Sequence, residues 1–586
     1  MLALVAWSAG KLWQLMASAT EWSGRHRWSP AWRQASGSSS REQRASDGNL
    51  LDFRNVRSEG VGPVGRRATG GLMLATACLY LLFVALVLLK VRAADDGHLV
   101  YALDDSYIQL SLSEQIAHGH YGINPGEFSS PGSSILWPFL LAPFAGHAVH
   151  VYVPLILNVL FGLAAVLLLS FAVSRWPPHG VHAGSRGWWL KLLTVVLLMF
   201  VANLVSLPFV GMEHVLQGVL SIACAVALTF AWDGEQIPLW GLAAAAIAPM
   251  VRYEDLSLTL AVALVLAATQ HKVRAALLFA VGVLPLAAFG LFLRHRGLPM
   301  LPTSVLIRGT GSIALHRSLL DAHVIETAHV ILRNSYHLIL DNGYRWPMLA
   351  LGVLLGFCLL NERNPARRSI LFAGVVLAFL QLAIGPFGFF YRYEVYALIF
   401  LTLLFYRAVI DPPLRYAPIL LGLFGLASPY IAAAGQTASV TQEIYRQQFQ
   451  MHRFLADYYR KDVAVNDLGL TSYRRAPGVY VLDVVGLASL EAASTPDKNA
   501  PWLENIVSRH RVGLAVLYPD WFQIPASWIP VGTMCGSQTT QVIGGRCVVF
   551  YATSPGSEPE IRNDLLRFVP TLPRGVTFAF SPARKN

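Results

Sequence analysis

From Gly71 onward the chain alternates long apolar runs with shorter polar loops. The runs are Gly71–Val91, Val151–Val173, Trp188–Leu207, Val215–Trp232, Ile237–Val251 and Leu256–Thr269, then Val273–Leu293, Trp346–Leu360, Ser369–Ile384, Tyr393–Tyr406 and Leu414–Ala433. An α-helix needs about 20 residues to cross a bilayer. The longer runs meet that length and the shorter ones approach it, so the pattern predicts a polytopic α-helical membrane protein with about eleven transmembrane helices. Ile135–Phe144 is shorter and broken by Pro138 and Pro143; it reads as a juxtamembrane or re-entrant helix. After Gly435 the pattern changes. DVAVNDLG, GVYVLDVVG, VGLAVLYP and CVVFYA have strand character, and helical stretches at Gln442–Arg460 and Pro501–His510 lie between them. Strands alternating with helices predict an α/β domain over 435–586, long enough for its own core. The predicted membrane module is 71–434, with a polar first loop at 92–150.

Composition strengthens the membrane reading. Of 586 residues, 54% are hydrophobic and 13% charged, with mean hydropathy +0.48; soluble domains carry about 25% charged residues. The net charge is +11, but no basic stripe with interleaved aromatics accompanies it, so nucleic acid is set aside as a partner. The excess instead suits cytoplasmic loops. Residues 1–70 hold ten Lys/Arg against five Asp/Glu. They read as a basic, disordered cytoplasmic tail or as sequence ahead of the true start. MLALVAWSAG lacks a basic n-region, so a cleaved signal is not expected.

Charge also orients the loops. One alternating set holds the basic tail, SRWPPHGVHAGSRGWWLK, TQHKVRAA, NERNPARR and YRAVIDPPLR, and is expected in the cytoplasm. The other holds the Asp104 loop, LPFVGMEH, VRYED, the long His295–Arg345 loop and GPFGFFYRYE. These are expected outside, and an odd number of spans puts the C-terminal domain there too. Cys78, Cys224 and Cys358 lie in apolar runs and read as buried hydrophobes. Cys535 and Cys547 stand in the C-terminal domain, where an extracytoplasmic location suggests a disulfide.

The candidate chemistry falls on the outer set. Asp104 and Asp105 open an amphipathic stretch whose stripe is Tyr107, Ile108, Leu112 and Ile116, ending at Gly119. Asp105 or Ser106 suits the N-cap, and successive helical residues point about 100° apart. One carboxylate is then free to face a reaction centre while the other caps. HGHYGINPGEFSSPGSS is a turn-rich loop that reads as a pocket lining or as a connector. Glu213 and His214 in GMEH, Arg252, Glu254 and Asp255 in VRYED, and Arg392 and Glu394 in FYRYE each sit at the end of a run. Singly these read as ion-paired or snorkelling ends; together they outline a polar site at one face. LPTSVLIRG adds Arg308, and an Arg fork suits a phosphate.

DDSYIQLSLSEQIAHGHYGINPGEFSSPGSSILW resembles the first outer loop of the GT-C glycosyltransferases, most closely the branch that includes the mycobacterial terminal arabinofuranosyltransferases. GMEH, VRYED, LPTSVLIRG and YRYEVYAL follow in that branch's order, and VNDLGLTSY and VLDVVGLAS resemble its D-x-G and D-x-x-GL pieces. The matches run from Asp104 to about Ser489. Ser106 stands where Ala is usual, Arg308 where Lys is common, and Glu394–Val395–Tyr396 lacks a proline. The resemblance implies a GT-C-like fold and transfer of a sugar, arabinofuranose or another, from a polyprenyl-phosphate donor to a cell-envelope glycan or glycoconjugate. It also implies the bacterial inner membrane, with the active site facing the periplasm or exterior. A leaving phosphate needs cations, for which Arg308, Arg392 and Arg252 are the candidates. The acceptor hydroxyl needs a carboxylate base. Asp104 is assigned that role, with Asp105 as capping, orienting or metal partner. Glu213, His214, Glu254 and Asp255 are candidates for sugar or acceptor hydroxyls. The carboxylates leave room for a divalent cation without requiring one. The rival class is a flippase or transporter of lipid-linked sugars or small molecules.

Overall fold

The computed structural model describes residues 63–176, 185–269, 271–308, 345–410, 416–536 and 541–582, and Thr69–Asn586 forms one compact unit. Residues 1–62, which make up most of the expected tail, and most of the His295–Arg345 loop lie outside the described residues.

Among the described residues each of the eleven apolar runs contains a helix, though the run Trp188–Leu207 is α-helical only to Val201. The elements in chain order are α1 (Pro63–Ala94), α2 (Asp105–Ala117), α3 (Leu136–Leu141), α4 (Val153–Arg175), α5 (Ser185–Val201), α6 (His214–Trp232), α7 (Leu239–Val251), α8 (Leu256–Ala268) and α9 (Lys272–His295). The short α10 (Thr303–Arg308) precedes α11 (Trp346–Asn361), α12 (Pro365–Ile384), α13 (Val395–Ile410) and α14 (Tyr416–Arg446). Among the described residues, six helices are long and apolar enough to cross a membrane, which makes this an integral membrane protein. α5, α7, α8, α11 and α13 have 13 to 17 residues, or about 20–25 Å at 1.5 Å per residue, short of a bilayer core of about 30 Å. Leucines along α1, α9, α11 and α14, such as Leu74, Leu284, Leu360 and Leu421, stay exposed, as a lipid-facing surface requires. α6 is buried almost throughout and forms the centre of the bundle.

At one end Arg175, at the end of α4, bonds Asp233 (3.3 Å) and Glu235 (2.6 Å) beyond α6. Arg407 of α13 reaches Asp233 (2.5 Å), and Arg367 of α12 bonds the Trp232 carbonyl (3.3 Å). The other end carries α2, the turns before α6, α8 and α13, and the C-terminal domain.

That domain is built on a six-stranded mixed sheet in the order β2-β1-β3-β5-β4-β6. The strands are β1 (Val463–Val465), β2 (Val481–Asp483), β3 (Leu514–Leu517), β4 (Ile529–Cys535), β5 (Cys547–Ala552) and β6 (Thr577–Phe580). β1 runs parallel to β2 and β3; the β3–β5, β5–β4 and β4–β6 pairs are antiparallel. The helices α15 (Gln448–Arg453), α16 (Gly469–Ser472), α17 (Leu490–Ser494), α18 (Ala500–Arg509) and α19 (Glu558–Phe568) accompany it. Cys535 and Cys547, opposite each other in the β4–β5 register, form a disulfide.

The first loop is built into this domain. Ile108, Leu112, Tyr121 and Ile123 share one buried cluster with Val463, Val465, Val481, Phe454 and Phe550. The NPGE turn docks on the sheet edge. Asn124 donates to the Val481 carbonyl (2.9 Å) and accepts from the Val481 N–H (3.1 Å). Its amide thus replaces the neighbour that edge strand β2 lacks. Glu127 accepts from the Tyr480 hydroxyl at 2.8 Å. The turn-rich loop is therefore a docking element on the sheet.

Candidate functional site

The expected amphipathic helix is α2, and its first two turns, Ser106 to Ser113, are buried on every side. It is held between the bundle and the C-terminal domain, so the single stripe expected from sequence is only part of what it buries. Gly119 follows its end at φ +77, as a helix C-terminus favours. Neither aspartate caps it. Asp104 occupies the N-cap position, with no side-chain bond to the helix, because its carboxylate is taken by another segment. Oδ2 accepts from the Gly469 N–H (2.7 Å) and Oδ1 from the Leu470 N–H (2.8 Å), at the start of α16. A Cβ at Gly469 would collide with both the carbonyl and the carboxyl of Asp104, so this approach requires glycine.

A second carboxylate lies beside the first. Asp467 accepts from the Tyr518 hydroxyl (2.7 Å) and Gln448 Nε2 (2.8 Å). Asp104 keeps a small opening to solvent but is densely surrounded by protein. Burial, and then the Asp467 charge, push its carboxyl up to about 8, against the two N–H donors that lower it. Burial likewise raises Asp467, against its bonds to Tyr518 and Gln448. Two neighbouring desolvated carboxyls resist ionising together.

Asp105 turns toward the bundle. Its Oδ2 pairs with Arg392 Nη2 at 2.9 Å, and its side chain is 15% exposed. Arg392 is buried; Nη2 also bonds the Tyr393 hydroxyl (2.7 Å), and Nη1 contacts the Met212 sulfur (2.8 Å). The turn ahead of it is unusual. Gly388, Phe389, Phe390 and Tyr391 all have positive φ, from 51° to 79°. Three consecutive non-glycine residues in the left-handed region are strained. The turn is held by Glu394, whose Oε2 accepts the Gly388 N–H at 3.0 Å.

Arg252 forms the next link. It bonds Glu254 through Nε (2.6 Å) and Glu213 through Nη1 (2.7 Å), and Nη1 lies 3.3 Å from both Ser133 Oγ and His214 Nε2. Ser133 donates to Glu213 at 3.0 Å. The Arg392 and Arg252 guanidiniums lie 4.6 and 5.3 Å from the centre of the Tyr393 ring. Gly211 at φ +72 brings the GMEH segment against the Tyr101 ring, where a Cβ would clash.

The structure therefore joins Asp104, Asp105, Arg392, Arg252, Glu213, His214 and Glu254 through a continuous set of contacts. Asp255 is buried and bonded to Gln217 (2.8 Å), within electrostatic reach of Glu254, Arg252 and Glu213. Thr303 at the start of α10 bonds the Ser130 carbonyl (2.9 Å) and the Leu487 carbonyl, while the Arg308 side chain lies outside the described residues. Leu487 is presented by a turn in which Asp483 accepts from the N–H groups of Val485, Gly486 and Ala488. Among the described residues no three His, Cys, Asp or Glu side chains converge as a metal site. Sequence reasoning assigned no role to Asp467, Tyr518, Gln448, Ser133 or Tyr393. The signal for Asp467 was present as the D-x-G piece directly after a strand.

Residues 442–551 match a family model described as a domain of unknown function (DUF8728). No curated protein matches the chain. Among solved structures the chain is similar to the Archaeoglobus fulgidus oligosaccharyltransferase in complex with Zn and sulfate. The identity is 11%, over 81% of this chain and 73% of that one, with a TM-score of 0.44. The apo form gives 12%, 85%, 78% and 0.43. The archaeal oligosaccharyltransferase AglB from the same organism, in complex with an inhibitory peptide and a dolichol-phosphate, gives 11%, 83%, 77% and 0.39.

Proposed function

We propose that this protein is a GT-C-type glycosyltransferase that moves a sugar from a polyprenyl-phosphate donor to a cell-envelope glycan or glycoconjugate. The donor's lipid lies in the bilayer, so the reaction belongs at the bundle end bearing α2 and the C-terminal domain, the periplasmic or exterior side. One observation carries the reading. Asp104 is held between the first loop and the C-terminal sheet, directly beside the Asp105–Arg392 pair. A raised carboxyl and a buried guanidinium are the two groups that glycosyl transfer from a phosphate requires.

In the proposed step the acceptor oxygen attacks the anomeric carbon as the bond from that carbon to the phosphate oxygen breaks. The hydroxyl proton passes to Asp104, and the polyprenyl phosphate leaves with the electron pair as a dianion. One base and one displacement give inversion. A carboxyl near 8 is a stronger base than an ordinary aspartate once ionised. Arg392 faces the developing charge, and Asp105 holds that guanidinium in place until the phosphate arrives. Glu213, His214 and Glu254, organised by Arg252, are assigned to sugar hydroxyls. The family's arabinofuranose is the first sugar to try, ahead of other pentoses and hexoses.

The test is transfer from a panel of synthetic polyprenyl-phosphate sugars by purified protein in nanodiscs, wild type beside Asp104→Asn. We expect one donor to be used, with turnover at least a hundredfold lower in the variant and its thermal transition intact. No turnover from any donor, with lipid binding unchanged by the substitution, would replace the transferase by the flippase reading.

A further inference from the structure

The parallel half of the C-terminal sheet runs β2-β1-β3, so the chain leaves β1 in one direction for β2 and returns past it to β3. In open α/β sheets ligands bind beyond the carboxyl ends of such strands, near the point where the winding reverses. Here that point, between β1 and β3, is occupied by the Asp467–Tyr518 bond and the Asp104 carboxyl. After Tyr518 the chain makes a short turn, Pro519–Trp521, and leaves Trp521 49% exposed. The loop leading into α18 forms the facing wall. Between them is a shallow groove of about 420 Å³, lined by Trp521, Phe522, Asp520, Gln523, Asp497 and Lys498.

An indole is among the largest apolar groups a chain can bury, so one left half exposed on a folded turn is notable. This ring is fixed in place. The Trp521 backbone N–H bonds the Tyr518 carbonyl (3.2 Å), which sets the turn, and the two rings pack with centroids 5.1 Å apart. A Cβ at Gly544 would collide with the indole, so that glycine lets the adjoining loop close against it. Around the platform stand two carboxylates, an ammonium and an amide, which supply both donors and acceptors. A sugar ring has the complementary surface: an apolar C–H face and a rim of hydroxyls. Tyr518 lies between the two places: its hydroxyl bonds Asp467 beside Asp104, and its ring packs on Trp521.

We propose that this groove binds a sugar residue of the acceptor glycan, a short distance along the chain from the residue that reacts at Asp104. The proposal rests on the glycosyl-transfer reading for the ligand's other end. The groove's own chemistry stands without it.

Full-length protein in nanodiscs would be titrated with hexasaccharides of arabinofuranose, mannose, galactose and glucose, followed by saturation-transfer NMR. We expect one of them to bind, with affinity at least tenfold weaker in Trp521→Ala and largely recovered in Trp521→Phe. If Trp521→Ala does not fold, Asp497→Ala at an exposed position is expected to weaken binding about threefold. Binding unchanged by these substitutions, or no binding of any hexasaccharide, would overturn the proposal. Trp521-dependent binding without transfer from any donor would instead defeat the transferase and leave the groove standing.

Discussion

The Asp104 carboxyl is held up to about 8 by burial and by Asp467, and this has two consequences of opposite value. In its proposed role as base Asp104 must be ionised, so turnover should rise with pH through about 8. Stability should move the other way. Between the ordinary aspartate range and about 8 the folded protein binds a proton that the unfolded chain releases, so stability falls as pH rises across that window. The groups around Asp104 are Asp105, Asp467, Tyr107 and, through Asp105, Arg392; of the charged ones, Asp467 is the largest contributor. Asp467→Asn keeps an oxygen for Tyr518 and Gln448 but removes the repulsion. Its acidic limb in a pH–rate profile is expected to move to lower pH, and its thermal transition at pH 9 to rise. A limb left at the wild-type position would mean that Asp104 is not the group titrating. Sequence showed both aspartates but not what separates their roles. The donors to Asp104 come from Gly469 and Leu470, more than 360 positions away along the chain. No local pattern announces the strained run at Phe389–Tyr391 either, since aromatic residues disfavour the conformation they adopt there.

At the scale of elements, the helices were legible because apolar length is a direct physical signal: each run contains a helix among the described residues, six of them long and apolar enough to cross a membrane. Their ends were less so. α1 begins at Pro63 rather than Gly71, and α14 continues to Arg446 as one helix past the expected end of the membrane module. The first loop could not be placed from sequence, because a Gly- and Pro-rich segment specifies turns but not what they dock against. In the structure Asn124 supplies both bonds on the outer edge of β2. Asn124→Ala removes that donor and that acceptor and leaves the Val481 groups unpaired, a cost of about 1–3 kcal/mol. Hydrogen exchange at Val481 and a thermal melt check this: faster exchange and a lower transition are expected. Exchange unchanged from wild type would show that water satisfies the edge as well as Asn124 does.

For the whole molecule, sequence suggested two parts, a membrane module and a C-terminal domain. Among the described residues one buried cluster joins the first loop and the end of one bundle helix to the sheet. Ile108, Leu112, Tyr121 and Ile123 from the first loop, and Leu293 and Leu298 from the end of α9, are buried in the same cluster as the sheet. The Asp104 site lies on that seam, with one aspartate held from each side of it: Asp104 by the domain's backbone and Asp105 by Arg392 of the bundle. Removing the domain should therefore do more than remove an acceptor-binding surface. A chain ending at Gln447 would expose the apolar face of α2 and the NPGE turn to water, at about 25 cal/mol per Å², and release both bonds to Asp104. We expect such a truncation to insert in the membrane but to be cut by chymotrypsin within residues 105–134, at Tyr107, Tyr121 or Phe128, at least tenfold faster than the full chain. We also expect it to lose transfer even to the smallest acceptor that the intact protein accepts. A truncated protein with a protected first loop and undiminished transfer would mean that the bundle alone organises Asp104, and the site would have to be reassigned to the Asp105–Arg392–Arg252 contacts within it.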